Sequence, residues 1–447
     1  MAAFSEIARQ LTHIGAGGFA LLLRYLTWWQ AAGLALAALA VNVLVLPRFS
    51  RQVFRPGDLD RLVASGIAIY PLSVLGLILC FPSRPDIVAM CWGILAAGDG
   101  MATMVGAHVR TAVLPWNGAK SAGGLLAGAM GAAVAAVGLG LWTAQGMTTP
   151  PSITWIIVSA VIAALVASVV ETVPIGLNDN ISVPVSAAFV LWSLSFISRD
   201  AAATAAPVVA ARLGPALATN LVFSLAGWLA GTVTPGGALT GAAIGVAVWL
   251  GAGAAGWLML FATFAFAAAT TRLGHQRKSA LGIDEARGGR RGPGNAIANT
   301  GVAAWAMALA PALVAPTPAL IAAVAALTTA ASDTVASEIG KAFGRTTYLV
   351  TNFRRVPPGT SGAVSLEGTT AGAIAAVLLA AIGAALGLIP LAAVLPIAIA
   401  ATLASVAEGW MAVRWEASGL LNNDSLNFLN SLLGAALALL WWRIAGR

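Results

Sequence analysis

The chain reads as an all-α, polytopic integral membrane protein, and three features of its 447 residues predict that class. Hydrophobic residues make up 59% and charged residues only 9%, against roughly a quarter charged in soluble domains. Uncharged runs long enough to cross a bilayer recur at 62–81, 125–142 and 153–170, and 213–271 carries no charge at all. Glycine, at 49 residues, and alanine are abundant, which suits helices that pack closely where lipid offers no hydrophobic incentive to associate. Spread over this length, the apolar runs predict about 12 spans. Nothing interleaves basic and aromatic residues as a nucleic-acid surface would, so nucleic acid is excluded as a partner and the lipid bilayer takes its place.

The net charge of +8 comes from 24 lysines and arginines, only three of them lysine, against 16 acidic residues. It is best read as orientation. Arg48, Arg51, Arg55 and Arg61 form one basic loop, and Arg272, Arg277, Lys278, Arg287, Arg290 and Arg291 form another. Both are expected on the cytoplasmic side of a bacterial inner membrane. Cys80 and Cys91 sit in apolar segments and read as small buried residues, not as a disulfide. No cleavable signal or transit peptide is expected.

In chain order, Glu6, Arg9 and His13 come first, at spacings that put them on one helical face. If both flanks of the apolar stretch 31–46 are cytoplasmic, residues 14–26 must enter the bilayer as a half-span or short first helix. Residues 87–97 are short for a span and end in Gly98-Asp99-Gly100. Then come Asn117 and the segment Gly118-Ala-Lys120-Ser121-Ala-Gly123-Gly124. An ionisable group at membrane depth is costly and marks function. The glycine segment lacks the first glycine and the preceding strand of a Walker A loop. It still supplies turning amides, one lysine and a hydroxyl, the parts of a phosphate cradle. The next apolar run ends in Glu171, and Asp179-Asn180 follow before Pro184.

These pieces resemble the phytol kinase and dolichol kinase group, membrane kinases that phosphorylate long-chain alcohols from CTP. The resemblance rests on Glu6, Arg9, His13, Gly98-Asp99-Gly100, Ala102, Gly106, Asn117, Lys120-Ser121, Gly124, Glu171, Asp179-Asn180 and Pro184, within about residues 1–190. Gln10 stands where members often carry a second basic residue. The resemblance implies catalytic roles for Asp99, Lys120, Glu171 and Asp179. It implies nucleotide or phosphate contacts from Arg9, His13, Asn117, Ser121, Gly124 and Asn180.

The uncharged run 213–271 holds two or three spans, broken near Thr234-Pro235-Gly236-Gly237. A polar loop follows with Arg290, Arg291, Asn295 and Asn299. Next come Asp333-Thr-Val-Ala-Ser-Glu338-Ile-Gly340-Lys341 and, farther on, Arg354-Arg355-Val-Pro357-Pro358-Gly359-Thr360-Ser361-Gly362, with Glu367 beyond. The two prolines stop any helix, and the glycines let amides turn toward an anion. Glu408 and Asn422-Asn423-Asp424 complete the polar set. This pattern resembles the phytyl-phosphate kinase family, membrane enzymes that add a second phosphate to a prenyl monophosphate. The resemblance implies catalytic roles for Asp333, Glu338, Glu367 and Asp424. It implies phosphate contacts from Arg290, Arg291, Asn295, Lys341, Arg354, Arg355, Gly359, Thr360, Ser361, Gly362 and Asn423. Lipid headgroup anchoring remains open for the paired arginines.

The expected organisation is therefore a kinase-like domain at 1–212 and a second at 213–447. The halves echo each other: Asp99, Lys120-Ser121, Glu171 and Asp179-Asn180 parallel Asp333, Gly359-Thr360-Ser361, Glu408 and Asn423-Asp424. Phosphoryl transfer needs positioning, a divalent metal and positive charge. Magnesium takes one or two carboxylates plus phosphate oxygens. Asp99 with Asp179, and Asp333 with Asp424, are the expected magnesium ligands. An alcohol acceptor benefits from a base, Glu171 or Asp179; a monophosphate acceptor instead needs added positive charge. Two basic residues lie between Gly98 and Gly124, and four between Asp333 and Gly372. The expected function is phosphorylation of an isoprenoid alcohol to its monophosphate and then its diphosphate, with CTP as donor implied by the resemblance alone. A secondary transporter with repeated halves and a lipid-phosphate cytidylyltransferase are the rival readings.

Overall fold

The computed structural model describes residues 6–49, 66–109, 111–174, 176–283, 290–416 and 418–446. Arg51, Arg55, Arg61 and Arg287 lie outside them, as does the side chain of Arg9. The protein is an all-α integral membrane protein. Among the described residues, ten helices are long and apolar enough to cross a bilayer, and Gly66–Cys80 and Asp179–Leu194 are shorter apolar helices.

Internal packing divides the chain into Met1–Phe196 and Ile197–Arg447. The expected boundary at 212/213 falls inside one helix. The charge that suggested it, Arg212, belongs to that helix and donates to the carbonyls of Leu250 and Gly251 at 3.0 Å each. Those carbonyls lie just before Gly253, whose positive φ of 66° breaks the neighbouring helix. A break at membrane depth is tolerated where a side chain takes up the freed carbonyls.

The first unit contains α1 (Glu6–Gly17), a 3-10 turn (Gly18–Arg24), α2 (Trp28–Ala40), the short α3 (Leu46–Phe49), α4 (Gly66–Cys80) and α5 (Pro85–His108). Then come β1 (Val113–Leu114), β2 (Asn117–Ser121), α6 (Ala122–Ala144), α7 (Ile153–Glu171) and α8 (Asp179–Leu194). The 3-10 turn is where the sequence asks for a short first entry. Helix α5 is central, with most of its residues from Asp86 to Gly100 buried. It packs on α6 through small residues: a Cβ on Gly128 would lie 2.9 Å from Ala102 Cβ and 3.2 Å from Gly98 O. Gln10 is 1% exposed against this helix, which explains an uncharged residue there. Cys91 is buried in α5 as expected, but Cys80, the last residue of α4, is exposed; both are free thiols.

The second unit contains α9 (Arg199–Leu229), α10 (Pro235–Arg272), α11 (His275–Ala280), α12 (Pro293–Leu309) and α13 (Thr317–Phe343). Then come β3 (Thr347–Leu349), β4 (Ala363–Ser365), α14 (Leu366–Ala385), α15 (Val394–Met411) and α16 (Asn423–Ile444). The α9–α10 break falls at Thr234-Pro235, with Thr234 as N-cap. Helix α13 runs through the core, with residues 321–332 all buried.

The sequence reads the two glycine segments as plain loops. Each is instead built on a short antiparallel strand pair, β1–β2 and β3–β4, set between two helices.

Candidate active site

Both units build the same device at the end of a central helix. Strand β2 ends in Ser121, whose Oγ accepts from Gly124 N at 3.2 Å and caps α6. Strand β4 ends in Ser365, whose Oγ accepts from Gly368 N at 3.1 Å and caps α14. A side chain at Gly124 or Gly128 would strike Ala102, and one at Gly368 or Gly372 would strike Ala336. Asp99, Ala102 and Gly106 thus correspond to Asp333, Ala336 and Gly340, each 234 residues on. Ser121, Gly124 and Gly128 correspond to Ser365, Gly368 and Gly372, each 244 residues on. This corrects the register of the sequence echo: Ser121 matches Ser365, not Ser361. The two loops differ in length, and no motif spacing survives such a difference.

In the first unit the expected residues converge. Lys120 Nζ donates to Glu171 Oε1 at 2.8 Å, with Glu171 4% exposed and Lys120 34% exposed. Burial works against the ammonium, but Glu171, and beyond it Asp179 and Asp99, hold Lys120 above its ordinary range. His13 Nε2 lies 3.8 Å from Asp99 Oδ2, and its ring meets Tyr70 edge-on at 4.5 Å. Tyr70 accepts in turn from Trp92 Nε1 at 2.8 Å. Asn180 Nδ2 donates to Gly66 O at 3.3 Å, tying α8 to the start of α4. Asn117 Nδ2 donates to Thr172 O at 2.9 Å, which fixes the strand pair against the end of α7.

Two cavities meet at Lys120. One, of about 1020 Å³, is lined by Asp99, Thr103, Lys120, Asp179 and Asn180 among others. Its walls are apolar, from Leu22, Leu23 and Leu26 of the 3-10 turn and its end, Ala31, Leu34 and Ala35 of α2, and Val74 and Ile78 of α4. The other, of about 530 Å³, lies under the β1–β2 pair and is lined by Thr103, Gly106, Lys120, Ser121, Gly124, Glu171 and Thr172. The amides of Gly123 and Gly124 are taken up by Thr111 Oγ1 and Ser121 Oγ, so the cradle of turning amides is largely closed on itself. Among the described residues no group of three His, Cys, Asp or Glu is close enough to hold a metal by itself. Asp99 and Asp179 on one cavity wall do match the one or two carboxylates that magnesium takes beside phosphate oxygens.

In the second unit the expected residues are more scattered. Asp333 lies beside Ser405, Asn430 and Lys341, and Glu408 faces it from α15. Asp424 lies against Gly294 at the start of α12. Asn430 is Asp333's contact on α16, and Asp424 is roughly 9 Å farther along that helix at 1.5 Å per residue. Glu408 of α15 is thus a further carboxylate in the neighbourhood of Asp333. Glu338, 2% exposed, is clamped by Lys278 Nζ at 2.6 Å and Lys341 Nζ at 3.0 Å, an arrangement that anchors the last turns of α13. Glu367 accepts from Arg345 N at 3.3 Å.

The loop from β3 to β4 is exposed at Arg354 and Arg355. Arg355 hydrogen-bonds Tyr348 and draws that phenol below its ordinary range. Gly359 and Gly362 have φ of +85° and +74°, which favours glycine. Thr360 Oγ1 donates to Pro357 O at 2.7 Å, and Ser361 Oγ donates to Glu416 Oε2 at 2.8 Å. Arg290 Nε donates to Gly231 O at 3.1 Å, and the Arg291 guanidinium stands 5.5 Å over the Phe264 ring. Arg290 thus ties its loop to the α9–α10 corner, and the Arg291 side chain lies against α10. Asn295 O accepts from Asn299 Nδ2, and Asn423 Oδ1 from Asn427 Nδ2, within α12 and α16.

Residues that sequence reasoning passed over are Tyr70, Trp92 and Ser405, single polar groups in apolar runs. Lys278 reads in sequence only as part of a basic loop, and Asn430 as one of four asparagines expected to line a cavity; neither reading names the carboxylate that each approaches.

Residues 218–435 match the family described as integral membrane protein DUF92. An uncharacterized membrane protein of Synechocystis sp. is 39% identical over 210 residues, 44% of this chain and 77% of that protein. The chloroplastic protein VTE6 of Arabidopsis thaliana is 38% identical over 206 residues, 44% of this chain and 61% of that protein. An uncharacterized membrane protein of Methanocaldococcus jannaschii is 32% identical over 112 residues, 25% of this chain and 46% of that protein. No solved structure matches.

Proposed function

The chain belongs to the DUF92 family of integral membrane proteins, and from that premise we propose that it phosphorylates an isoprenoid alcohol to its monophosphate and then to its diphosphate. The family match lies in the second unit. The phosphate-to-diphosphate step is assigned there, on the resemblance of its motifs to phytyl-phosphate kinases. The alcohol step is assigned to the first unit.

The observation that carries the first step is that Lys120 forms part of the wall of both cavities. A cavity of about 1020 Å³ with mostly apolar lining and two carboxylates suits a prenyl chain with its hydroxyl toward Asp99 and Asp179. The smaller cavity suits the donor's phosphates. Lys120 is then placed to hold charge on the transferring group, and Glu171 or Asp179 to take the hydroxyl proton as the alcohol oxygen attacks the γ-phosphorus and CDP leaves. Magnesium held by Asp99 and Asp179 would neutralise the donor phosphates. In the second unit, exposed Arg354 and Arg355 supply the extra positive charge that an anionic acceptor requires. Both steps are assigned to the cytoplasmic face, where CTP is made.

The test is purified protein with phytol, CTP and Mg²⁺, followed by mass spectrometry of the lipid. Phytyl monophosphate and diphosphate are expected. A CDP-linked lipid, or phytyl monophosphate that is consumed while phytol is not, would overturn the two-step reading.

A further inference from the structure

The equivalence of the two units shows where the second one keeps its lysine. Lys120 precedes the capping Ser121, whereas Val364 precedes the capping Ser365. The reverse exchange lies on the central helix. Ala107, next to the Gly106 that packs on Ser121 and Gly124, lines the 530 Å³ cavity together with Lys120. Its counterpart, 234 residues on, is Lys341, next to the Gly340 that packs on Ser365 and Gly368. The second unit thus sets its lysine on the helix and not on the strand.

Lys341 comes with two further charges. Glu338, one turn earlier and equivalent to Met104, accepts from Lys341 Nζ at 3.0 Å and from Lys278 Nζ at 2.6 Å. Lys278 also donates to Thr271 O at 2.6 Å. The Lys278 and Glu338 side chains are buried, and that of Lys341 is 21% exposed. An anchor for α13 gives no reason for two lysines on one carboxylate, because the attraction of a buried ion pair does little more than offset its desolvation. Arg277 already holds the end of that helix, donating to Ala342 O at 3.1 Å and Gly344 O at 2.7 Å. What the second lysine changes is charge. Lys341 also acts on Asp333, so without Lys278 one ammonium would serve two carboxylates.

We propose that Lys278 is a positioning residue: it neutralises Glu338, so that Lys341 presents its charge to a phosphate group beside the β3–β4 pair. Glu338 is then a counter-ion and not a proton acceptor. The proposal rests on reading the second unit as the site of the monophosphate step, but its binding test does not use turnover.

Pyrophosphate is the probe, titrated calorimetrically into the purified full chain in phosphatidylcholine nanodiscs, on a Lys120→Met background that removes the first unit's ammonium. Lys278→Met should weaken binding about tenfold, the effect of one unit charge at roughly 10 Å in a medium of effective dielectric about 20. Adding Glu338→Gln removes one charge of each sign and should return the affinity to within about threefold of the background. Glu338→Gln without Lys278→Met should tighten binding. A mere anchor predicts otherwise, because the double variant has lost the whole clamp. Turnover with phytyl phosphate and CTP then identifies the phosphate held, as the one whose KM rises in Lys278→Met and recovers in the double variant. Equal affinity in the background and Lys278→Met, no recovery in the double variant, or no pyrophosphate bound by the background would each overturn the proposal. If Lys278→Met does not fold, Glu338→Gln decides: unchanged or weaker binding overturns it. The expected charge pattern without any turnover of phytyl phosphate would uphold the anion site and remove the monophosphate step.

Discussion

Lys120→Met keeps the length and unbranched shape of the side chain and removes only its ammonium. The carboxylate it abandons, Glu171, is 4% exposed and loses a 2.8 Å ion pair. Removing one partner of a fully buried pair costs about 3–5 kcal/mol. The Lys120 end is 34% exposed, so solvent screens part of that, and a loss of about 1–3 kcal/mol is expected. Removal of one preorganised charge from a phosphoryl-transfer site should slow the alcohol step about 10²–10³-fold. The two effects are separable. Glu171→Gln added to Lys120→Met removes the orphaned charge and should recover the thermal unfolding midpoint in detergent, but not the rate. If the double variant recovers the alcohol step as well, Lys120 serves only to neutralise Glu171 and the proposed mechanism fails. The pH dependence has a defined sign. Because the folded protein raises the Lys120 pKa above its ordinary 10.5, its contribution to stability is complete below that value and is lost as pH rises through the higher folded pKa. No Lys120 transition should therefore appear in rate or stability between about pH 6 and 9.

Two further outcomes are expected. Ala35→Trp places a large ring in the apolar part of the 1020 Å³ cavity; it should raise KM for a long-chain alcohol at least tenfold while a five-carbon prenyl alcohol is still phosphorylated, and equal losses for both would argue that the chain does not lie there. Replacing Arg354 and Arg355 together with alanine should make the lipid monophosphate accumulate at an unchanged rate of formation, and a wild-type yield of diphosphate would identify them as headgroup anchors.

The spans were legible in the sequence because a bilayer imposes a length and an apolar composition on every helix that crosses it, and no neighbour is needed to read that. Candidate residues were legible for the same reason: a carboxylate such as Asp99 or Asp333 at the end of an apolar run is conspicuous where charge is scarce. Partner choice was not legible. Lys120 meets Glu171 across 51 residues, and Lys278 meets Glu338 across 60. Glu408 faces Asp333 only because α15 packs beside α13. Such pairings depend on how closely glycine and alanine faces let helices approach, which residue type alone does not specify. The match of Ser121 to Ser365 was hidden because strands of two to five residues are too short for a periodic signal. Arg212 is the clearest case: in sequence its charge looks like the end of a domain, and only the fold shows it holding the open carbonyls of a helix broken at Gly253. A membrane chain thus declares its helices one at a time, because each answers to the lipid. Its site is decided by which helices touch, because in lipid that depends on close packing and polar pairing between them.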